Sequence, residues 1–279
     1  MSEWIRALLI LGALVLVQFH VIADAAPPSG KAMQVQGGPW MLAGRADESA
    51  HPSPHPHLVL VLHGDAPFRE PTYQYVFAER AAAALDDGVV VALLRPGYAD
   101  GEGLRSEGKM GWKLGDNYTR DRIDSFAAAA HALMDQYQAA DLTLVGHSGG
   151  AAISADTLGL YPNLAKRALL VSCPCDLPAF RSNMMRLQWN PLWLLPVSSI
   201  SPQDEVASIP EGTIVRMVVG AEDPVTPARL TSAFADALKA RGVNVSVKVL
   251  PGLGHEILLE RAVLDQLKAL MAEPQNTQH

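Results

Sequence analysis

The sequence predicts an α/β fold: a doubly wound, mostly parallel sheet with helices on both faces. Three observations predict it. Residues 58–62, 89–94 and 142–145 are apolar at nearly every position. Such runs read as strands buried on both faces, the mark of a parallel sheet under helices. They alternate with stretches of helical period, which is the order a doubly wound sheet requires. Between the run at 142–145 and the helix-forming Ala151-Ala152-Ile153 stands Gly146-His147-Ser148-Gly149-Gly150. A strand therefore turns directly into a helix at a glycine-flanked serine.

The elements follow in chain order. Residues 1–25 read as a signal peptide: a short polar start with Arg6, an apolar run at 7–17, and Ala23-Asp24-Ala25 as the small-residue cleavage pattern. The alternative is an uncleaved anchor over residues 4–23, long enough to span a bilayer but interrupted by Gln18 and His20. In either case the rest of the chain, 26–279, is expected to be one exported domain. Residues 27–57 are rich in Pro and Gly, with weak strand signals at 32–36 and 40–43. His51, His55 and His57 alternate with prolines there, and read as an extended surface loop rather than a metal tract. Residues 73–85 form an Ala-rich helix. A helix starting near Asp116 or Asn117 carries Ile123, Phe126, Ala127, Ala130, Leu133, Met134 and Tyr137 on one face. After the elbow helix come a strand at 167–172, a strand at 215–220, a helix at 227–241 closed by Gly242, a strand at 243–250 and a helix at 256–271.

Residues 176–210 break the alternation, being too long for a plain connection. They hold Met184, Trp189 and Trp193 among other apolar side chains. Two readings stand side by side: a lid whose Met184, Trp189 and Trp193 line a substrate pocket, or a helix packed onto the core.

Bulk composition bounds the function. A chain of 279 residues, 49% hydrophobic and 18% charged, can bury a large single core. Its net charge of −7, with no Lys/Arg cluster, excludes a nucleic-acid surface. The only cysteines, Cys173 and Cys175, make no disulfide framework. Two residues of extended strand span about 6.6 Å, close to the limit for a bridge. They are expected as packed thiols at a strand end, a bridge needing a distortion that Pro174 could supply. No Walker motif occurs, and Ser106 breaks a possible G-x-G-x-x-G at 101–106.

The chemistry concentrates at strand ends. A serine hydroxyl needs a base within hydrogen-bond reach and an acid to orient that base. The elbow predicts the chain order Ser, then acid, then His. Asp223 follows the strand at 215–220, and His255 follows the last strand in Gly254-His255-Glu256. Glu222 and Asp176 are competing acids; the turn Asp223-Pro224-Val225-Thr226-Pro227 favours Asp223. Gly146 and Gly150 remove the Cβ atoms that a tight elbow would crush. The oxyanion donors would be the amides of Gly149 and Asp65, provided the Asp65 carboxylate points away. His63 reads as structural. His255-Glu256 lacks the second histidine of H-E-x-x-H, so a zinc protease is excluded.

His63-Gly64, Gly146-His147-Ser148-Gly149-Gly150, Asp223 and Gly254-His255, in that order from residue 58 onward, resemble the α/β-hydrolase fold superfamily. The loop Arg95-Pro96-Gly97-Tyr98 with Gly103 and Ser106 is similar to one in its single-domain esterase and prolyl-peptidase branch. The resemblance implies a Ser148–His255–Asp223 triad; no metal or organic cofactor is expected, since that mechanism needs none. The expected activity is that of an exported serine hydrolase on a small acyl ester. The alternatives are a serine peptidase on short peptides, with Asp65, Glu102 or Asp116 receiving a substrate amine, and a binding protein without turnover. A membrane partner is expected only if residues 4–23 stay attached; the sequence leaves the oligomeric state open.

Overall fold

The computed structural model describes residues 30–66, 70–111 and 114–274. The expected signal peptide or anchor lies outside them. The strands are β1 (Lys31–Gly37), β2 (Trp40–Glu48), β3 (His57–Leu62), β4 (Val89–Leu93), β5 (Asp141–His147), β6 (Arg167–Val171), β7 (Ile214–Gly220) and β8 (Asn244–Leu250). They form one sheet in the order β1-β2-β4-β3-β5-β6-β7-β8. β1 and β2 are an antiparallel hairpin and β2 is antiparallel to β4; every other pair is parallel.

Side chains alternate across each strand, and the two faces bury different sets. Leu58, Leu60 and Leu62 of β3 join one core with α2 (Arg120–Tyr137), α3 (Gly149–Leu160), α4 (Leu177–Gln188) and α6 (Ala228–Ala240). Val59 and Val61 join the other with α1 (Tyr73–Ala84) and α7 (Arg261–Ala272). Burial of each such side chain contributes about 1.5–3 kcal/mol. This double burial is why the central strands read as unbroken apolar runs.

The structure departs from the sequence reading at five places. The weak signals at 32–36 and 40–43 are the full hairpin of β1 and β2, turning at Gly38-Pro39 with Gly38 at φ +60°. Its signal is weak because most of β1 is exposed and β2 abuts β4 through Gly44, where a Cβ would stand 2.3 Å from the Ala92 carbonyl. α2 starts at Arg120, not at Asp116 or Asn117. Those two side chains serve the loop instead: Asp116 Oδ1 accepts from the Ser198 and Ser199 amides, and Asn117 Oδ1 from the Gly111 amide. α7 starts at Arg261 rather than at 256: the chain before it makes turns in which the Ile257 amide donates to the His255 carbonyl and the Glu260 amide to that of Ile257, with Ile257 and Leu258 buried in the core.

Cys173 and Cys175 are disulfide-bonded, not free thiols, with Cα atoms 5.2 Å apart. Ser172, at φ +50°, takes the chain out of the extended course on which the 6.6 Å span was based.

Residues 177–208 hold α4, a 3₁₀ turn (Pro191–Leu194), α5 (Pro202–Glu205) and a second 3₁₀ turn (Val206–Ser208). Met184 and Trp193 are core residues, with the Trp193 ring edge-on to Phe180 at 5.7 Å. Trp189 caps α4 in the left-handed conformation and is 91% exposed. Met184 and Trp193 thus pack onto the core, while the Trp189 side chain stands in solvent.

Candidate active site

The site begins with a strained turn. Ser148 follows β5 at φ 52°, ψ −120°, and α3 starts at the next residue. Side chains other than glycine rarely hold such a φ unless their surroundings fix it. Here the Ser148 amide donates to the Val171 carbonyl at 2.8 Å, and the Ala151 and Ala152 amides donate to the Ser148 carbonyl. A Cβ on Gly146 would stand 2.4 Å from the Gly150 carbonyl, and one on Gly150 2.4 Å from that of Leu62. Both glycines are therefore steric necessities of the turn.

Ser148, His255 and Asp223 lie on one hydrogen-bonded line. Ser148 Oγ is 2.9 Å from His255 Nε2, and His255 Nδ1 is 2.8 Å from Asp223 Oδ2. The carboxylate is fully engaged: Asp223 Oδ1 accepts from the Val225 and Thr226 amides, and Oδ2 also accepts from Thr226 Oγ1. Burial pushes the Asp223 pKa up, but His255 and Thr226 outweigh it and hold the group at about 2. Asp223 is thus ionised at any ordinary pH and can orient the Nδ1–H tautomer of His255. Such a line can withdraw the serine proton and return it to a departing group. Asp176, the competing acid, caps α4 by accepting from the Ala179 amide.

The oxyanion side is built on β3's end. Gly149 is the first residue of α3, so its N–H is among those a helix leaves free. A donor role for the Asp65 amide requires its carboxylate to point away, yet Oδ1 lies within 2.8 Å of where a Gly149 Cβ would be. A buried guanidinium explains this. Arg95 Nη1 donates to Asp65 Oδ1 at 2.8 Å, and Tyr118 donates its hydroxyl to Oδ2 at 2.7 Å. Arg95 is 1% exposed and needs a counter-charge, and Asp65 supplies it. Burial and the Asp65 charge push the Tyr118 hydroxyl well up, so it remains a donor. The negative charge beside the elbow is therefore met before any substrate arrives.

His63 is held by the main chain, with Nδ1 2.7 Å from the Gly64 carbonyl and Nε2 accepting from the Arg95 amide at 3.1 Å. Burial, helped by the Arg95 charge, drives its pKa well below the usual histidine value. Four further side chains around the line escaped sequence reasoning. Thr226 braces Asp223, Ser172 Oγ donates to the His255 carbonyl at 3.0 Å, and Tyr73 and His147 join opposite sides of the site. The Asp223–Thr226 turn signalled the first. No spacing signals Tyr73, whose hydroxyl reaches the site from α1.

A family model described as the alpha/beta hydrolase family matches residues 58–266. No curated protein matches the sequence significantly. Among solved structures, Est1E from Butyrivibrio proteoclasticus, determined with ferulic acid bound, superposes with a TM-score of 0.64 at 17% identity, covering 87% of this chain and 100% of that one. The Pyrococcus furiosus esterase Pf2001 gives 0.65 at 16% identity, covering 87% and 89%. The acylaminoacyl peptidase of Pyrococcus horikoshii gives 0.65 at 13% identity, covering 86% of this chain and 40% of that one. At such identities the superpositions speak for the fold.

Proposed function

The chain belongs to the α/β-hydrolase family, and from that premise we propose that it is a serine hydrolase that cleaves small carboxylic esters. The observation that carries this reading is the line Ser148 Oγ–His255 Nε2, His255 Nδ1–Asp223 on a serine held at positive φ. Ser148 Oγ attacks the ester carbonyl carbon while its proton passes to His255 Nε2. The tetrahedral intermediate collapses, the C–O bond to the alcohol breaks, and His255 returns the proton to the leaving oxygen. Water then repeats the sequence on the acyl-Ser148, releasing the acid and restoring the serine. Asp223 stays ionised and stabilises the imidazolium. The amides of Gly149 and Asp65 are the proposed donors to the developing oxyanion, each worth about 3 kcal/mol in the transition state. Nothing in these steps calls for a metal or an organic cofactor.

An ester is preferred over a peptide with a free amine because the carboxylates that could receive the amine are engaged. Asp65 is held by Arg95 and Tyr118, Glu102 by Arg45, and Asp116 by Ser198 and Ser199. Activity on p-nitrophenyl acyl esters, set against aminoacyl p-nitroanilides, tests the choice. Ser148-dependent turnover of the esters is expected. Faster turnover of the anilides would replace the esterase reading with a peptidase, and Ser148-independent turnover would remove both. The domain is proposed to act after export, with residues 1–25 removed. The intact mass of the exported chain checks this, a mature start at Ala26 being the expected result.

A further inference from the structure

Tyr73 and His147 take no part in the proposed reaction, yet they connect its two sides. The Gly64 amide donates to the Tyr73 hydroxyl at 2.6 Å, and the Tyr73 oxygen lies 2.8 Å from His147 Nδ1. His147 Nε2 lies 3.0 Å from the His255 carbonyl. The ends of this chain fix its direction. A main-chain amide only donates, so the tyrosine oxygen accepts there and its own proton is free for His147 Nδ1. A carbonyl only accepts, so His147 must carry its proton on Nε2 and donate it to His255. Each proton has one place.

The relay sits where small displacements matter. A Cβ on Gly64 would lie 2.9 Å from Ser148 Cβ, so the loop bearing Asp65 passes directly against the nucleophile. The His147 ring is 1% exposed, edge-on to Tyr73 with centroids 5.4 Å apart, and 5.2 Å from the His255 ring. Burial, reinforced by the nearby His255, holds the His147 pKa down at about 4, so the ring is neutral when it donates. Tyr73 thus holds the Gly64 amide directly before Asp65, the residue whose amide is the proposed second oxyanion donor.

We propose that Tyr73 and His147 are positioning residues whose hydrogen-bond relay holds the Gly64–Asp65 loop in register with the His255 main chain. The inference rests on the serine-hydrolase reading above. It concerns the transition state: the base and the oxyanion donors must meet the same reacting carbon, and an error near 1 Å there can cost about 100-fold. Ester binding in the ground state does not depend on that register.

Steady-state kinetics on a p-nitrophenyl ester test it with the full chain and the variants Tyr73→Phe, His147→Phe, His147→Gln and the Tyr73→Phe/His147→Phe pair. Tyr73→Phe keeps the ring and its packing, so it carries the test even where His147→Phe does not fold. Its kcat is expected to fall about 10- to 100-fold with KM changed less than twofold. The double variant should be no slower than His147→Phe, since residues that act as one unit are not additive. His147→Gln keeps an amide donor near the Nε2 position and should recover much of the lost kcat. Wild-type kcat in Tyr73→Phe would overturn the relay, as would multiplying defects in the double variant, or losses that appear only in KM or melting temperature. A wild-type chain inert on the ester would instead overturn the serine-hydrolase reading itself.

Discussion

The rim that carries Ser148, Asp223 and His255 and the segment at 177–208, inserted between β6 and β7, are built differently. On the rim, polar side chains are buried and doubly engaged: Asp223 accepts from Val225, Thr226 and His255, and Arg95 reaches His63, Asp65 and Asn117. In the inserted segment, Met184 and Trp193 are buried but several other apolar side chains face solvent: Leu187, Leu192, Leu194 and Leu195 are 46%, 48%, 65% and 42% exposed, and Trp189 more so. The contrast teaches which part sets what. Directional bonds and backbone strain fix a reaction geometry that tolerates little change, whereas an apolar surface can be altered without disturbing that geometry.

Substitutions should sort along this divide. The largest effect is expected on the rim. Asp223→Asn leaves the shape but favours the wrong His255 tautomer, and kcat on an ester should fall by about 10⁴-fold. A fall below tenfold in stopped or continuous ester assays would mean that another group orients His255.

Stability should next reveal how the rim buries its histidines. His147 is held at about 4 in the fold, below the ordinary 6.5, so the unfolded chain binds its proton first as pH falls. Its contribution is complete above pH 6.5 and is lost as pH drops from 6.5 to 4. The loss is about 3 kcal/mol at most. His63 is shifted in the same direction. Denaturant midpoints measured across that window should fall steeply for the wild type and less steeply for His147→Gln. Equal slopes would show that His147 is not a buried neutral base. Asp223 has the opposite origin: its stabilisation is present above about pH 4 and fades only as pH approaches 2.

Intermediate in size is the turn itself. Gly150→Ala would press a methyl within 2.4 Å of the Leu62 carbonyl, and overpacking of this kind costs about 1–3 kcal/mol. Thermal or urea unfolding measures it, and an unaltered midpoint would contradict the steric account. The smallest effect belongs to the inserted segment. Trp189→Ser should shift stability by less than about 0.5 kcal/mol and leave short-chain ester turnover unchanged within twofold. A large loss on short esters would erase the distinction between the two regions.

The same divide explains what could be read in the sequence. The parallel sheet was legible because β3, β4 and β5 bury apolar side chains on both faces, in one core and in the other, with Thr143 the only polar residue inside the runs at 58–62, 89–94 and 142–145. The elbow was legible because its glycines have no alternative. Asp223 and His255 could be placed because each stands one turn past a strand. Less could be read where a residue's partner comes from a distant element. Asp116 and Asn117 looked like the start of a helix but hold loops together through Ser198, Ser199 and Gly111. Asp65 looked like a liability until Arg95 and Tyr118, from other strand ends and loops, were placed beside it. Tyr73 and His147 look unremarkable in sequence because only the fold brings α1, β5 and the His255 loop together. The disulfide was misread because the span was taken from straight strand geometry, and Ser172 bends the chain first.

The central claim is that Ser148 is a nucleophile activated by His255. A fluorophosphonate probe reacts with an activated serine and forms one covalent phosphonyl bond. Intact mass should show a single adduct on the wild-type chain, peptide mapping should place it on the segment holding Ser148, and Ser148→Ala should remain unlabelled. Labelling that persists in Ser148→Ala, or a folded wild-type chain that takes no label, would contradict the account.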